Sequence, residues 1–564
     1  MSEPHGPIHL IVSGRIATLA GSSGFGWAEA LAVSDGQVVA VGTRPDMEAL
    51  AGRATVHWRL RPGLVVTPSL TDAHLHLALA ALAAGQPDLT GLDLAGVAAA
   101  ISAAHHRLLG EGDANGWLLG HGWSFDVLGG RPDVSLLDAA APGRPVALWA
   151  HDHHSRWLSS PAMALAGITG LGDPPSGRIE RDQHGAPTGI MVEHASGLVD
   201  GFIPAPTAAA VESATTAYAR DLARLGVTSV HDPGGVAPDP ELRGGPTLYR
   251  ALAGAGRLPL RVMACIREEQ LERAIEAGFR TGRSEGEHAS GRYRDGWLKL
   301  FSDGALGSRT AALLQPYEPD DPAGPPPGGP TGMPLRDGPQ LTALARRAAE
   351  AGIASQIHAI GDGAVRTVLD VLEGLPTVAG AWHRVEHAQL VHPSDQGRFA
   401  ALGVAASVQP CHLLSDAPAI VAAWGSRSAA AFPLADLDRA GTLLPFGTDA
   451  PVEPADPWRG IAAAVTRRGT GWPSERALHP EQAIGLARAL RAACLDGPRS
   501  AHLADQGHLG VGARADFLVL PGSAFEAADE GGSSGPSAEL LSELRPLATV
   551  LDGEAVWRSP DFDP

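Results

Sequence analysis

The chain has 564 residues, more than one hydrophobic core usually serves, so we expect at least two structural units. Its formal net charge of −19 comes from acidic residues scattered along the chain, which argues against a nucleic-acid or anionic-membrane partner. No signal-peptide pattern opens the sequence, and no stretch reaches the ~20 apolar residues of a membrane span. We therefore expect a cytoplasmic protein that acts on a small molecule, and the sequence leaves open whether it forms a homodimer.

The cysteines limit the chemistry further. The chain contains three, Cys265, Cys411 and Cys494, far apart and in no CxxC pair. This pattern predicts neither a disulfide framework nor a thiolate zinc site. Any metal ion must then be held by histidine, carboxylate or lysine side chains.

Short alternating strands stand at both ends of the chain. Near the N-terminus they cover 8–13, 29–42 and 54–66, with Asp35-Gly36 as a hairpin turn. Near the C-terminus they return in ADFLVLPG and in ATVLDGEAVW. We expect residues 1–68 and 508–564 to form one small β-sandwich-like domain.

Apolar, β-branched runs of strand length occupy the middle of the chain. They cover residues 71–77, 226–232, 260–266, 297–303, 354–359, 383–388, 404–409 and 443–449. Many are separated by helical stretches such as LTALARRAAEAG, and strand-helix alternation predicts a parallel sheet. Eight such units predict an α/β fold, a TIM-type (β/α)₈ barrel over residues 69–507.

Three segments depart from this regular alternation. Roughly the span 112–208 lies between the first and second runs and carries its own strand signals, so we interpret it as an inserted subdomain. The stretch DDPAGPPPGGPTG after Tyr317 is either a mobile lid or a plain surface loop. The stretch EAADEGGSSGPSAE near residue 530 is also too rich in Gly and Ser to pack a core.

Two histidines stand two residues apart in the first run, TDAHLHL. Because side chains alternate along a strand, His74 and His76 point to the same side, which in a barrel can be the interior mouth. Two imidazoles at one strand end are half of a metal site, although an HxH pair also occurs without a metal.

Further candidate ligands stand at the carboxyl ends of later runs. SQIHAIGD supplies His358, RVEHAQ supplies His387 and LLPFGTDAPV supplies Asp449. The carboxyl ends of parallel barrel strands converge on one face, where active sites are built. Histidine and carboxylate ligands suit zinc, manganese or iron, so the sequence predicts one or two divalent ions at this face.

Lys299, in WLKLFSDG on the fourth run, admits two interpretations. A free ammonium beside cations would be repelled, and carbamylation by CO₂ would convert it into an anionic bridging ligand. Alternatively, the lysine pairs with a nearby carboxylate such as Asp303. The spacing does not decide between them.

The order of these residues resembles a known family. HxH, Lys, His, His and Asp on the first, fourth, fifth, sixth and eighth strands resemble the amidohydrolase superfamily. The surrounding sequence resembles amidohydrolase family 3, the branch that contains N-substituted formamide deformylases. The shared segments are LKLFSDGALGSRTA, QIHAIGDGAV, RVEHAQL, PFGTDAPV, LLDAAAPGRPVALW, GRIERDQHGAPTGIMVE and HLGVGARADFLVL. The resemblance covers nearly the whole chain and implies a barrel, metal-activated water and C–N bond hydrolysis.

The resemblance also assigns roles to residues. It implies that Lys299 is the bridging lysine of binuclear members. The ligand types make zinc the expected ion, with manganese or iron as alternatives. The residues that match the family's metal ligands are His74, His76, His358, His387 and Asp449. Whether Lys299 is modified, and whether one or two ions bind, stays open.

Several other residues are candidates for the substrate site. The chain departs from the family at AHDHHSRWLSS, where His151, His153 and His154 replace a single histidine. A second metal site, a polar substrate wall built from His154 and ordinary surface histidines all agree with this cluster.

Three further residues match family patterns that face the pocket: Trp123 in GHGWSFD, Glu193 in MVEH and Arg309 in GSRTA. We count them, with His154, as candidate substrate-binding residues. Tryptophan and arginine at such positions can instead serve only packing and ion pairing.

The predicted reaction is hydrolysis of an amide-like C–N bond. Asp449 would accept a proton from the attacking water and pass it to the departing nitrogen, because a poor amine leaving group needs an acid. Arg309 or His154 would stabilise the oxyanion or grip the substrate. Two alternatives are a mononuclear deaminase of the same barrel class, which Lys299 disfavours, and a non-catalytic scaffold, which would have lost ligands. The sequence does not identify the substrate.

Overall fold

The structure is a computed structural model, and it describes residues 6–113, 115–235, 245–284, 291–321, 324–529 and 535–564. Residues 530–534 of the Gly- and Ser-rich stretch, and residues 322–323 of the Pro- and Gly-rich stretch, lie outside the described residues.

A seven-stranded parallel sheet forms the centre of the fold. Its strands follow one another in space in the same order as in the chain. They are Leu70–Asp72, Val227–Asp232, Arg261–Arg267, Tyr293–Phe301, Ser355–Ala359, Arg384–His387 and Ala405–Ser407. Nearly every residue of these strands is buried, as expected for a parallel sheet covered on both faces.

The eighth apolar run, 443–449, is not a regular strand. It nevertheless contacts both edges of the parallel sheet, since the carbonyl of Leu443 accepts from the amide of Ala406 at 3.0 Å and that of Phe446 from Ala73 at 2.9 Å. Gly447 permits this approach, because an added Cβ would lie 2.6 Å from the backbone nitrogen of His74. The segment thus brings Asp449 next to the first strand.

Helices connect the strands of the parallel sheet. Gly338–Glu350, for example, begins at a capping box in which Asp337 and Gln340 satisfy each other's backbone amides, and it buries Leu341 and Ala345. The α-helices are Arg44–Glu48, Leu77–Ala83, Leu94–Gly110, Val134–Ala140, Ser160–Leu165, Ala208–Arg224, Pro246–Gly254, Leu271–Glu276, Gly338–Glu350, Asp362–Glu373, Pro393–Gln396, Arg398–Leu402, His412–Trp424, Leu434–Arg439, Pro457–Thr466, Leu486–Arg491, Gly497–Ser500, Ser523–Asp529 and Ala538–Ser542.

Strands from both ends of the chain lie in one eight-stranded sheet, which we call the terminal sheet. They are Leu10–Ala17, Trp27–Ser34, Gln37–Gly42, Val56–Arg59, Leu64–Pro68, Phe517–Pro521, Ala548–Leu551 and Glu554–Arg558. Leu64–Pro68 joins the two ends, since it pairs with Leu10–Ala17 on one side and Phe517–Pro521 on the other. The Asp35-Gly36 pair turns with positive φ at both residues, as a tight hairpin requires.

The region between the first and second strands of the parallel sheet carries a sheet of its own. Its five strands are Leu118–Trp123, Val146–Ala150, Ser155–Leu158, Gly177–Arg181 and Pro187–Glu193. The last strand ends at Glu193, and the turn after Val146–Ala150 carries the histidine cluster 151–154. This sheet therefore positions Glu193 and the histidine cluster 151–154 beside the parallel sheet.

Two absences can be stated for the described part of the chain. No helix within it is long and apolar enough to cross a membrane. Its three cysteines are buried and free, so no disulfide forms there.

Candidate metal centre

Asp72 fixes the geometry of the first strand end. Its carboxylate accepts from the backbone amide of His74 at 3.2 Å, from the amide of Thr448 at 3.0 Å and from the Thr448 hydroxyl at 2.6 Å. Burial raises the pKa of Asp72 to about 7. Asp72 therefore ties His74 to the segment that carries Asp449, a role that the strand pattern of the sequence does not predict.

His74, His76 and Asp449 form a compact group of potential ligand atoms. Nε2 of His74 lies 3.4 Å from Oδ1 of Asp449, and Nε2 of His76 lies 3.3 Å from the same oxygen. One ligand atom from each residue lies within 4.8 Å of the others. The HxH pair and the aspartate of the eighth run thus meet, as the sequence predicts. The expectation that His74 and His76 lie on the first strand is wrong, because that strand ends at Asp72 and both histidines belong to the segment that follows it.

Hydrogen bonds on the far side of each ring orient the imidazoles. Nδ1 of His74 bonds to the buried carboxylate of Glu386, and Nδ1 of His76 bonds to the carbonyl of Gly234 at 2.5 Å. A histidine that donates from one nitrogen presents the other, more basic nitrogen to a metal ion. Both Nε2 atoms are therefore the ones that face Asp449.

His358 and His387 complete a cluster of rings. Their centroids are 4.4 Å apart, and the His387 ring lies 5.1 Å from that of His74. Nε2 of His358 bonds to the carbonyl of Gly304 at 3.1 Å, and Nδ1 of His387 bonds to Oε1 of Gln409 at 2.8 Å. These bonds leave Nδ1 of His358 and Nε2 of His387 available to an ion.

Lys299 lines the same cavity and is buried. Its Nζ lies 4.9 Å from the centroid of Phe301, and burial lowers the pKa of Lys299 to about 8. The interpretation that pairs it with Asp303 does not fit, because Asp303 accepts instead from the backbone amides of Ala312, Ile360 and Gly361. Among the described residues no ion pair engages Lys299.

The structure adds His412, which sequence reasoning missed. His412 opens the helix His412–Trp424, and its Nε2 lies 3.7 Å from Oδ2 of Asp449 with no hydrogen-bond partner in the described structure. With His387 and Asp449 it forms a second group able to hold an ion. The sequence segment that could have revealed it is QPCHLL, at the end of the seventh run. His412 lies a turn beyond the strand end, so a search of strand ends does not find it.

The protonation states suit metal binding. Burial lowers the pKa of His74, His358 and His387 well below the ordinary value, which favours the neutral imidazole that binds metals. Burial alone would raise the pKa of Asp449, but His74 and His76 beside it hold that pKa well below its usual range. An anionic carboxylate among neutral imidazoles is a donor set for a divalent cation.

The backbone is strained at several residues of the site. His387, Asp449 and Glu193 have φ values of 72°, 59° and 52°, in the left-handed region that non-glycine residues rarely adopt. Strain of this kind persists where the surrounding structure holds it, and it clusters at functional sites. At Asp449 the holding contact is the bond from its amide to the carbonyl of His74 at 2.6 Å.

A cavity of about 400 Å³ opens above the histidines. The inserted sheet contributes His154, whose Nδ1 lies 2.9 Å from Oε2 of Glu193 and whose ring lies 5.3 Å from that of His358. Burial opposes protonation, but Glu193 raises the pKa of His154 to about 9. His154 and Glu193 therefore form a charged pair in the cavity wall.

The other two histidines of the cluster differ in their surroundings. His151 lies 3.2 Å from Glu453, and His153 stacks on Trp149 with ring centroids 5.5 Å apart. Both line the cavity, so they are not ordinary surface histidines. Neither belongs to the two potential metal groups found among the described residues.

Two predicted pocket residues lie elsewhere. Trp123 is buried in the core of the inserted region, where its Nε1 donates to the carbonyl of Leu148 at 2.9 Å, and it lines a neighbouring cavity. Arg309 donates from Nε to Asp321 at 2.6 Å and from Nη2 to Asp126 at 3.0 Å. Two carboxylates bind the guanidinium of Arg309, and Arg309 is not among the residues that line the cavity above the candidate metal centre. The structure therefore gives no support to the expectation that it grips substrate.

Comparison with known proteins identifies the family. The chain is 31% identical to YtcJ of Bacillus subtilis over 545 residues, covering 94% of this chain and 96% of YtcJ. It is 27% identical to the N-substituted formamide deformylase of Arthrobacter pascens, covering 93% and 94% of the two chains. A crystal structure of an uncharacterized metal-dependent hydrolase from Pyrococcus horikoshii is 27% identical and superposes with a TM-score of 0.71, covering 91% and 97%. The amidohydrolase family model matches residues 62–556, and the chain therefore belongs to the amidohydrolase family.

Proposed function

We propose that this amidohydrolase uses a divalent metal centre to hydrolyse a carbon–nitrogen bond other than a peptide bond, in an amide, an N-substituted formamide or a similar small molecule. The observation that carries the proposal is the meeting of two Nε2 atoms, from His74 and His76, with the anionic carboxylate of Asp449. Membership of the family and the likeness to a metal-dependent hydrolase support a hydrolase.

The residues that would hold the metal form two neighbouring groups. His74, His76 and Asp449 would hold a first ion, and His358 and His387 would contribute to holding a second, with Lys299, once carbamylated, as a further anionic ligand. A bound divalent ion lowers the pKa of a water ligand to about 7 and polarises a carbonyl group. Zinc is the ion we expect, because imidazole nitrogens and carboxylate oxygens are among its preferred ligands.

Asp449 supplies the proton transfers. Its carboxylate is ionised and borders the cavity, so it can accept a proton from water on one side of the substrate. The same group can return that proton to the departing nitrogen. The bond from its amide to the carbonyl of His74 fixes the main chain at Asp449, and Nε2 of His74 and of His76 lie 3.4 and 3.3 Å from its Oδ1.

His154 is the residue we assign to the substrate carbonyl. Glu193 holds it as an imidazolium, and its ring lies beside that of His358. A cationic donor at this place would stabilise negative charge on the carbonyl oxygen during attack. The fold that supports this site is, in our proposal, an eight-stranded barrel in which segment 443–449 serves as the last strand.

A mononuclear deaminase-like hydrolase is the second candidate. His74, His76, Asp449 and one further histidine would suffice for one ion, and Lys299 would then remain an amine. A non-catalytic scaffold is the least favoured candidate, because the ligand set that the family resemblance implies is complete in the sequence.

Metal analysis of the purified protein tests these candidates. About two ions per chain support the binuclear hydrolase, about one supports the deaminase-like site, and none supports the scaffold. A panel of N-substituted formamides and other amides, assayed for released amine with added zinc or manganese, then tests the reaction. Release of amine from no member of the panel by metal-loaded protein would contradict the proposal.

A further inference from the structure

Arg267 stands beside the candidate metal centre and has no role in the reaction described above. It ends the strand Arg261–Arg267 and is paired in register with Lys299 on the neighbouring strand. Adjacent residues in register on parallel strands point to the same face. Arg267 is 6% exposed and lines the cavity of about 400 Å³.

The guanidinium of Arg267 has no anionic partner in the described part of the chain. Its Nη1 is buried and makes no hydrogen bond there, and its contact is with the ring of Phe301, whose centroid lies 4.8 Å from Cζ. Glu268 is engaged by Arg336, and Glu269 is exposed. A buried charge without a hydrogen-bonded partner is costly, so this position is suited to an anion supplied from outside the chain.

Other buried arginines near the site show the contrast. Arg384 contacts Glu386, Ser407 and the carbonyl of Ala73, and Arg309 is bound by two aspartates. Both arginines are paired with carboxylates. Arg267 differs because no ion pair engages it among the described residues, its Nη1 makes no hydrogen bond there, and its side chain borders an open cavity.

We propose that Arg267 binds a carboxylate of the substrate, so that the substrates are amides or formamides carrying a carboxylate close to the scissile carbon–nitrogen bond; this rests on the proposed function. The planar guanidinium offers two parallel N–H donors that match a carboxylate. The ring of Phe301 contacts Arg267 and also lies 5.2 Å from the ring of His358. Arg267 and the candidate metal ligand His358 thus contact the same aromatic ring, so a carboxylate held by Arg267 would lie near the candidate metal centre. N-acyl and N-formyl amino acids carry a carboxylate next to the scissile bond in this way.

A carbamate on Lys299 is the other anion that could meet Arg267, because the two residues are neighbours across the strands. That alternative assigns Arg267 to metal retention and not to substrate. The two assignments differ in what Arg267→Met changes, since a substrate-binding arginine can be removed without loss of metal.

The test uses a matched pair of probes, N-formylphenylalanine and N-formyl-2-phenylethylamine, which differ only in the carboxylate. Their affinities for the metal-loaded protein are measured by calorimetry under conditions too brief for turnover, with wild type, Arg267→Met, Arg267→Lys and Arg347→Met. Arg347 is an exposed arginine paired with Glu272 and serves as the matched control. Unfolding temperature and metal content are measured for each variant.

We expect the carboxylated probe to bind wild type and Arg347→Met at least about tenfold more tightly than the neutral probe. Arg267→Met should lose this preference with unchanged metal content, and Arg267→Lys should retain part of it. Equal affinity for the two probes, no binding of the carboxylated probe, an undiminished preference in Arg267→Met or a loss of metal in that variant would each overturn the proposal. Binding does not depend on turnover, so a carboxylate preference without hydrolysis would remove the proposed function and keep the carboxylate site.

Discussion

Glu386 accepts a hydrogen bond from Nδ1 of His74, and both side chains are fully enclosed in the protein. This bond decides which ring nitrogen of His74 faces Asp449. Glu386 is held in turn by Arg384, whose Nε lies 2.8 Å from Oε1. A candidate metal ligand, its carboxylate partner and an arginine thus form a chain of contacts that begins in the strand Arg384–His387.

Replacing Glu386 by glutamine should weaken metal binding by about 10- to 100-fold, the usual effect of losing a hydrogen-bonded partner behind a metal-binding histidine. The amide keeps the size of the side chain but cannot hold the imidazole as strongly. A competitive chelator titration measures the change. Glu272→Gln, at an exposed residue paired with Arg347, is the control and should leave the affinity unchanged. An unchanged affinity in Glu386→Gln would show that this bond does not support the metal site.

His74→Ala and His76→Ala should each abolish metal retention and turnover, because loss of one imidazole leaves the site short of ligands. Folding should persist, since the core of the parallel sheet lies elsewhere. Metal content by elemental analysis and secondary structure by circular dichroism check both statements. Full activity with normal metal content in either variant would remove the basis of the site.

Asp449→Asn should fold and keep much of its metal but lose at least ~10²-fold in turnover, the usual scale for a lost proton-transfer group. The amide can still lie beside His74 and His76 but cannot accept a proton. Turnover at saturating metal is the measurement. Near-native turnover would mean that another group carries the proton.

Lys299→Ala should lower metal content and activity together. If Lys299 is carbamylated, short-chain carboxylic acids should restore part of the activity, because they can occupy the vacated space and offer oxygens to both ions. Mass spectrometry of the native protein, or electron density at Nζ, gives a direct check. An unmodified amine beside a single ion would favour the deaminase-like candidate.

Asp516→Ala should destabilise the fold by about 2 to 4 kcal/mol. Asp516 forms an ion pair with Arg261 at 3.0 Å across the contact between the terminal sheet and the parallel sheet. Breaking such a pair leaves a buried charge without this partner. Asp552 still faces Arg261, which limits the loss. Urea denaturation measures the effect, and Glu212→Ala, which breaks the exposed pair with Arg257, should cost no more than about 1 kcal/mol.

Residues at strand ends could be predicted from the sequence, because the carboxyl ends of parallel strands converge. Lys299, His358 and His387 lie within strands, as predicted. His74 and His76 instead follow the strand Leu70–Asp72, and Asp449 lies in a segment that is not a regular strand, so strand alternation does not explain why these three residues meet. His412 could not be predicted from strand ends at all, since it reaches Asp449 from the first turn of a helix.

Arg309 shows a second limit. Its partner Asp126 is 183 residues away in sequence and belongs to the inserted region. The sequence around an arginine does not show whether its guanidinium faces the substrate or forms ion pairs with carboxylates that are distant in the chain. Arg267 resembles an ordinary basic residue at a strand end in the sequence. It is identified only because its buried Nη1 makes no hydrogen bond in the described part of the fold.

The terminal sheet has a consequence for the way the chain is made on the ribosome. The strand Leu64–Pro68 is synthesised early, yet five of its residues pair with Phe517–Pro521, which emerges only after the whole parallel sheet. Until then one edge of this apolar strand is open to other chains, a situation that favours aggregation. Nascent chains should therefore depend most on chaperones after Leu64–Pro68 is synthesised and before Phe517–Pro521 emerges. Slower translation of the central region would lengthen the time during which this strand edge is exposed.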